Sequence, residues 1–381
     1  MTKNLSNHDG AERLVKELFA SAGIGIDGAA PGDIQIKNPA FYGRLVRDAS
    51  IGLGESYMDG WWECERLDVF IEKALRADIK KKITGSWRLK LLTLQALVTN
   101  MQSRSRASIV AEKHYDIGND LYEVMLDERM VYTCGYWKNA KTLEQAQEAK
   151  LDLVCKKAGL RPGMKVLDLG CGWGGFAIYA AEKYGCEVLG VTIAKEQQRL
   201  GQRRALDKKL PVEIRLLDYR NVEGTYDAVV SIGMLEHVGW KNHRTLMEVV
   251  HRSLADQGIA VLHTIGSNES QRHGIPFFEK YLFPNAASPS IAQLGKAMEG
   301  LLIVEDWHNF GPDYERTLLA LWERFERGYG ELDHAKYDER FYRMWRFYLL
   351  AAAGAVRARE SQLWHLVLTK IGRAQPDCRF S

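Results

Sequence analysis

The chain has 381 residues, of which 46% are hydrophobic and 27% charged, a balance typical of a globular protein with more than one core. Its formal net charge of +3 is too small for a protein whose whole surface binds nucleic acid, so an electrostatic partner would have to meet a local patch. Composition therefore excludes extended disorder, a fibrous architecture and a general nucleic-acid binder.

The N-terminal part lacks the rhythm of alternating strands and helices. Gly and Pro interrupt short mixed segments such as GIGIDGAAPGD and NPAFYG. The opening MTKNLSNHDGAERL has no apolar signal-peptide core, and no window reaches the roughly 18 apolar residues of a spanning helix. We expect a small mixed N-terminal domain over residues 1–85, in a protein that is neither exported nor membrane-spanning.

A basic segment follows. Residues 73–113 contain ten basic and two acidic residues. Within residues 86–101, apolar side chains recur at helical spacing: Trp87, Leu91, Leu94 and Val98. We expect a basic amphipathic linker over residues 86–113, which either faces an anionic bilayer or forms a solvated helix between two domains.

Short β-rich runs then alternate with amphipathic stretches, which predicts a parallel sheet with crossover helices. The predicted strands are 165–170, 187–193, 212–218, 226–233 and 258–266, and the predicted helices are 174–184, 194–206 and 242–254. After an insertion at about 267–289, we predict a helix at 290–299, a strand at 301–307, helices at 314–330 and 339–358, and a last strand at 362–370. This is a doubly wound, Rossmann-like α/β domain over residues 114–381.

The strongest local signal is VLDLGCGWGG at 166–175. A strand delivers Asp168 and then Gly170, Gly172 and Gly174 into a helix, and bare backbone at such a turn lets a ligand approach closely. The run also satisfies GxGxxG, so a nicotinamide or flavin remains an alternative to S-adenosylmethionine. The second strand ends in GVTI without the acid that holds a ribose, which disfavours a dinucleotide.

VLDLGCGWG resembles the first strand of class I S-adenosylmethionine-dependent methyltransferases. Further segments resemble the cyclopropane-fatty-acyl-phospholipid synthases: GLGESYMDGWWEC (52–64), HYDIGND (114–120), VYTCGYW (131–137), VTIAKEQ (191–197), GMLEHVG (233–239), LHTIGS (262–267) and EDWHNFGPDYERTL (305–318). The likeness covers nearly the whole chain. Six cysteines stand singly, so we expect no disulfide framework, no metal site and a reducing cytoplasm.

The resemblance implies methyl transfer from S-adenosylmethionine to a cis double bond in a phospholipid acyl chain, followed by proton loss and closure of a cyclopropane. It also implies a bound bicarbonate as the base, held by Cys134, Glu236, His263, Tyr314 and the amide of Ile265. Glu236 and His263 follow the ends of the fourth and fifth predicted strands, where doubly wound folds place their ligands. We expect a binding role for Cys134, because direct attack by the alkene needs no covalent enzyme intermediate.

For the cofactor, the resemblance implies the following residues: Tyr132, Thr133, Asp168, Gly170, Gly172, Gly174, Thr192, Gln197, Asp218, Tyr219 and Ile232. It also suggests a homodimer on the inner face of the membrane. The alternatives are a related alkene methyltransferase that leaves a methyl or methylene branch, and a non-enzymatic cofactor sensor. GMLEHVG lacks the Asn/Asp-Pro-Pro-aromatic motif of enzymes that methylate base amino groups, so we expect no nucleic-acid partner.

Overall fold

The computed structural model describes residues 2–79 and 118–380. The predicted linker at 86–113, the boundary at residue 85 and most of the HYDIGND motif lie outside the described residues. Across the two described ranges, none of the helices combines the length and the apolar composition needed to cross a membrane.

The N-terminal region is mostly helical. It consists of α1 (Thr2–Ser21), β1 (Gln35–Ile36), α2 (Ala40–Met58), β2 (Trp62–Glu63) and α3 (Leu67–Arg76), with β1 and β2 antiparallel. The sequence patterns predicted no long helix here, and glycines within α2 lower its intrinsic helix propensity. Packing explains one of them, since a Cβ on Gly54 would lie 2.3 Å from the ring of Phe277. Tertiary contact therefore outweighs local preference in α2.

The main body is built on one seven-stranded sheet. Its strands are β3 (Lys165–Leu169), β4 (Glu187–Thr192), β5 (Val212–Leu216), β6 (Tyr226–Ile232), β7 (Leu254–Ser267), β8 (Leu302–Asn309) and β9 (Ser361–Lys370). The spatial order is β5-β4-β3-β6-β7-β9-β8. Five neighbouring strands, β5, β4, β3, β6 and β7, run parallel to one another. Strand β9 is antiparallel to both β7 and β8. The predicted doubly wound α/β class is confirmed.

Ten helices accompany this sheet in the described part of the main body: α4 (Asn119–Met125), α5 (Leu143–Lys157), α6 (Gly175–Tyr184), α7 (Lys195–Asp207), α8 (Leu235–Val238), α9 (His243–Ser253), α10 (Pro276–Tyr281), α11 (Ile291–Met298), α12 (Pro312–Gly328) and α13 (Glu339–Arg357). Polar caps fix some of their starts. Asp338 accepts a hydrogen bond from the Phe341 amide at 2.7 Å, and Ser290 and Gln293 form a capping box.

The N-terminal region and the main body share apolar packing. Trp62 lies edge-on to Phe347 of α13, with ring centroids 6.4 Å apart, and also contacts Phe70 of α3. Both α3 and α2 pack against α13, which in turn packs against α12. The helical layer beside the sheet is therefore continuous from the N-terminal region to α12.

Candidate active site

A cavity opens at the carboxyl ends of the parallel strands. Asp168 is the residue before the end of β3, Thr192 ends β4 and Ile232 ends β6. Ten of the eleven residues predicted to bind the cofactor line this cavity: Tyr132, Thr133, Asp168, Gly170, Gly172, Thr192, Gln197, Asp218, Tyr219 and Ile232. The structure thus brings together residues that are spread over a hundred positions of sequence.

The glycines in the turn between β3 and α6 have different roles. Gly172 has a φ of +56°, and no atom of residues 2–79 or 118–380 lies within 4 Å of where a Cβ would stand, so its backbone is accessible to a ligand. Gly174 also has a positive φ, of +77°, but it does not line the cavity. A Cβ there would meet Ile214 at 2.6 Å, so Gly174 serves the packing of α6 on the sheet.

Asp168 is a buried carboxyl at the base of the cavity, 1% exposed. Its Oδ2 atom has no hydrogen-bond partner among the described residues. Burial raises the pKa of Asp168 to about 7, against the opposing attraction of the Lys150 ammonium. A ligand with a donor or a positive charge would satisfy this carboxylate.

Lys150 is a cavity residue that the sequence analysis missed. It lies in α5, is fully buried, and donates a hydrogen bond from Nζ to the hydroxyl of Thr133 at 2.8 Å. Burial lowers its pKa to about 8, and the carboxylate of Asp127 limits that fall. A single sequence carries no sign of this role, because a lysine on an amphipathic helix normally faces water.

Polar contacts shape the opposite wall of the cavity. The Arg220 guanidinium binds both carboxylate oxygens of Asp218, at 2.8 and 2.5 Å, so an adenine amino group would have to share this carboxylate. Thr192 donates to the side-chain oxygen of Gln197 at 3.1 Å. Gly172 has an accessible backbone, and the Asp168 oxygen lacks a partner among the residues that the structure describes. Together these features fit S-adenosylmethionine, which has an adenine ring, hydroxyl groups and a positive charge.

A second cluster of side chains lies next to the cavity. It includes the five residues that the resemblance assigns to bicarbonate. Cys134, Phe310 and Leu363 form a small apolar core, against which Ile265 and Tyr314 pack. Glu236 accepts a hydrogen bond from the amide of Ile265 at 2.5 Å. The amide that the resemblance assigns to the anion is therefore bonded to Glu236 in this structure.

Glu236 lies in the short helix α8 and is 6% exposed. Burial raises its pKa to about 7, although the Ile265 amide opposes the rise. The other carboxylate oxygen, Oε2, is buried and lacks a hydrogen-bond partner within residues 2–79 and 118–380. A carboxyl in this environment can exchange a proton near neutral pH.

His263 does not follow the end of its strand, contrary to the sequence-based expectation but in agreement with the predicted strand range 258–266, which includes it. It lies within β7, directly opposite Ile232, the last residue of β6. Because β7 continues past β6, His263 still stands level with the carboxyl edge of the sheet. Its Nδ1 atom is 2.9 Å from Nε2 of His365, and its own Nε2 is buried without a partner in the described part of the chain.

The loop that bears Thr133 and Cys134 is held between two helices. Gln147 of α5 donates to the carbonyl of Thr133 at 2.7 Å, and the amide of Gly135 donates to the hydroxyl of Thr317 in α12 at 3.0 Å. Burial raises the pKa of the Cys134 thiol well above its usual range. Cys134 is therefore a neutral thiol, which suits binding better than nucleophilic attack.

Comparisons with known proteins agree with this arrangement. The family model described as mycolic acid cyclopropane synthetase matches residues 102–366. The cyclopropane-fatty-acyl-phospholipid synthase of Escherichia coli (strain K12) is 49% identical over 358 residues, covering 94% of this chain and 93% of that protein. The tuberculostearic acid methyltransferase UfaA1 of Mycobacterium tuberculosis is 31% identical over 373 residues, covering 91% of this chain and 87% of that protein.

A solved structure shares the fold of the main body. The mycolic acid cyclopropane synthase CmaA1, complexed with SAH and CTAB, aligns with a TM-score of 0.64 at 29% identity. The alignment covers 69% of this chain and 98% of that one. The family resemblance expected from the motifs is confirmed.

Proposed function

Because the chain belongs to the mycolic acid cyclopropane synthetase family, we propose that it converts cis-unsaturated acyl chains of membrane phospholipids into cyclopropane acyl chains, with bicarbonate as the base. It is an S-adenosylmethionine-dependent methyltransferase that acts on lipid alkenes. The observation that supports the proposal best is the cluster of Glu236 and His263 beside the cofactor cavity, each with a buried polar atom that has no hydrogen-bond partner in the described part of the chain.

Individual residues that line the cofactor cavity have separate roles in this proposal. S-adenosylmethionine, when bound, supplies an electrophilic methyl group. The backbone at Gly172 would leave space for the cofactor, and the Asp168 carboxylate would lie near the positive charge of the cofactor. Tyr219 and Ile232 would pack on the adenine ring by stacking and apolar contact. These contacts orient the cofactor towards the alkene, and orientation matters because an isolated alkene is a poor nucleophile.

The cluster of Glu236 and His263 fits a small oxyanion. A protonated Glu236 carboxyl and a neutral His263 with hydrogen on Nε2 would each donate to it. The Cys134 thiol and the Tyr314 hydroxyl stay protonated, because burial raises both pKa values well above their usual range. Bicarbonate, when bound there, supplies a weak base for the proton lost on ring closure, and a weak base suffices because that proton is very acidic.

Apolar side chains keep this region dry. Phe310 is 6% exposed and lies edge-on to Tyr136, with ring centroids 5.5 Å apart. It also packs against His263 at 6.0 Å, and Leu363 is fully buried beside it. Excluding water protects a carbocation from capture as an alcohol, and aromatic faces stabilise its charge.

A branched product is the second candidate. The observation that favours it is the 31% identity to tuberculostearic acid methyltransferase UfaA1, which spans most of both chains. The higher identity, 49%, to a cyclopropane-fatty-acyl-phospholipid synthase favours the ring. Both products begin with the same cofactor, alkene and cation, and the fate of the cation distinguishes them. Proton loss with ring closure gives the cyclopropane, proton loss without ring closure gives a branched alkene, and a saturated methyl branch would also need a hydride donor.

The proposal also includes attachment to a membrane and assembly as a homodimer. A phospholipid substrate requires the enzyme to work at a bilayer surface, and the basic composition of residues 73–113 suits an anionic one. We place the protein in the cytoplasm, peripherally on the inner face of the membrane, as a homodimer. Gel filtration with light scattering, alone and with vesicles, tests the dimer and the attachment.

Product analysis tests the reaction. Purified protein is incubated with vesicles of cis-unsaturated phospholipid, S-adenosylmethionine and bicarbonate, and the acyl chains are analysed by mass spectrometry and proton NMR. The proposal predicts a gain of one CH₂ unit, with upfield ring methylene signals and a rate that falls when bicarbonate is removed. The same mass gain with olefinic and branch signals, or a gain larger by two hydrogens with methyl-branch signals, would favour the second candidate, and no gain despite cofactor binding would overturn both.

A further inference from the structure

Three histidines stand in one row across the edge of the sheet. His263 of β7 is paired in register with His365 of β9, and His365 is paired with His308 of β8. Directly opposed residues of antiparallel strands project to the same face of a sheet, so the three rings are neighbours. His263 and His365 are 2% and 0% exposed, whereas His308 is half-buried.

A hydrogen bond joins the two buried rings. Nδ1 of His263 and Nε2 of His365 are 2.9 Å apart, with ring centroids at 5.0 Å. Nδ1 of His365 has no partner among the described residues. The ring of Phe310 lies edge-on to His365 at 4.7 Å and prevents it from turning freely.

Both imidazoles are neutral. Burial lowers the pKa of each well below its usual range, and the ammonium of Lys150 acts on both in the same direction. A neutral imidazole carries one hydrogen, so one of the two rings must donate in the bond between them. If His365 donates, His263 carries its hydrogen on Nε2. If His263 donates, its Nε2 is a bare acceptor.

We propose that His365 is a positioning residue: its Nε2–H donates to Nδ1 of His263 and so fixes the His263 hydrogen on Nε2, where it can meet an oxyanion. The inference rests on the proposed function, because a donor at this position matters for an anion held beside Glu236. The hydrogen bond also restricts rotation of the His263 ring. Hydrogen-bond partners of metal-ligating histidines have the same effect in other proteins.

Variants of His365 separate donation from packing. H365L removes the donor, whereas H365Q keeps an N–H group at a similar distance from the backbone. We expect H365L to lower kcat roughly 10- to 100-fold, by analogy with the loss of a hydrogen-bond partner from a metal-ligating histidine. The Kd for S-adenosylmethionine should change less than about twofold, and H365Q should recover most of the lost kcat. H308L, in the same row but without a hydrogen bond to His263, is the matched control and should stay near wild-type kcat.

The tautomer can be read without turnover. In protein labelled with ¹⁵N-histidine, long-range ¹H–¹⁵N correlation identifies which nitrogen of His263 is protonated, with H263A providing the assignment. The wild type and H365Q should show protonated Nε2, and H365L should lose that preference. Protonated Nδ1 in the wild type, or equal kcat in H365L and wild type, would overturn the inference. If the wild type forms no cyclopropane product, the proposed function fails, while the tautomer measurement still decides the role of His365.

Discussion

At the scale of single residues, the site is distinguished by ionisable groups that are buried without a full set of partners. Asp168 and Glu236 each leave one carboxylate oxygen unpaired within the described residues, and His263 leaves one nitrogen unpaired. Such groups cost stability in a folded protein, because burial without compensation penalises a polar atom. Their presence together at the edge of a parallel sheet indicates that ligands complete the set.

The raised pKa of Glu236 predicts that the free energy of unfolding depends on pH. Its pKa is about 7 in the folded state against an ordinary value of 4.5, so the folded state retains the proton more tightly. Its contribution to stability is therefore complete below about pH 4.5 and is lost as the pH rises through about 7. In E236Q, the free energy of unfolding relative to wild type should rise by up to about 3 kcal/mol across that range.

Urea unfolding at a series of pH values measures this difference. The control is E269Q, at an exposed position, whose effect relative to wild type should be small throughout. A difference between E236Q and wild type that stays constant with pH would contradict the account of Glu236.

Lys150 gives a second prediction. Removing its ammonium in K150M should raise the pKa of Asp168 further, so the carboxyl becomes protonated at neutral pH. Since S-adenosylmethionine is positively charged, its Kd at about pH 7 should rise roughly 10-fold and recover as the pH increases, because the carboxylate then forms again. Calorimetric titration over a range of pH measures both effects.

Lys157 provides the matched control for Lys150. It lies in the same helix, α5, is equally buried, and pairs with Asp306 away from the cavity. K157M should lower the stability of the fold, because it leaves Asp306 without its partner, but it should leave the cofactor Kd within about twofold. Equal loss of affinity in both variants would show that Lys150 acts through stability alone.

At the scale of elements, the arginines of α13 attach the N-terminal region to the main body. Arg343 donates to the carbonyls of Tyr57 and Trp62, at 2.6 and 3.2 Å, and its guanidinium lies 4.2 Å from the ring centroid of Tyr57. The Tyr57 carbonyl lies at the end of α2 and also accepts a hydrogen bond from the amide of Gly60 at 3.0 Å, and the Trp62 carbonyl lies at the start of β2. A single side chain of α13 therefore binds the backbone on both sides of the turn between the two elements.

The prediction at this scale is that R343A lowers the free energy of unfolding by about 1 to 3 kcal/mol, because it removes two hydrogen bonds to backbone carbonyls and the ion pair with Glu63. Arg199 is the control, since its guanidinium is exposed and pairs with Glu196 on the surface of α7. R199A should change stability by less than about 0.5 kcal/mol. Equal stability of R343A and wild type would refute this role of α13.

The sheet and most of its helices could be predicted from the sequence because their signals are local. The observed β3 at 165–169 and α6 at 175–184 differ by a residue at most from the predicted elements. In contrast, α2 contains Gly54, which is explained by contact with Phe277, a residue more than two hundred positions away. Such long-range packing leaves no periodic pattern in α2 itself.

The convergence of most of the expected cofactor residues on one cavity was predictable for a similar reason, since motif positions at strand ends converge in every doubly wound sheet. Lys150 and His365 were not. Lys150 resembles a solvated helical lysine, and its burial depends on how α5 meets the sheet. His365 had a weak signal, as a single polar residue inside the apolar run LWHLVL, but its partner His263 lies on another strand.

At the scale of the whole molecule, a phospholipid substrate requires contact with a membrane. The basic segment, residues 73–113, is the proposed contact, and most of it lies outside the described residues. Replacing Lys80, Lys81 and Lys82 by Gln should weaken binding to anionic vesicles by up to about 100-fold, at about 1 kcal/mol for each charge near the surface.

Vesicle sedimentation at increasing salt measures this binding. The wild type should lose affinity steeply as salt screens the charges, and the triple variant should show a shallower dependence. Binding to anionic and zwitterionic vesicles that is equal and indifferent to salt would contradict the proposed contact.

The central claim is that Glu236 and His263 form a chemical site separate from the cavity that binds the cofactor. Parallel measurement of kcat on unsaturated phospholipid vesicles and of Kd for S-adenosylmethionine, in E236Q and H263A, tests it most directly. We predict that kcat falls roughly 100-fold or more in both variants while Kd changes less than about twofold. Normal turnover in both, or a loss explained by weaker cofactor binding, would contradict the claim.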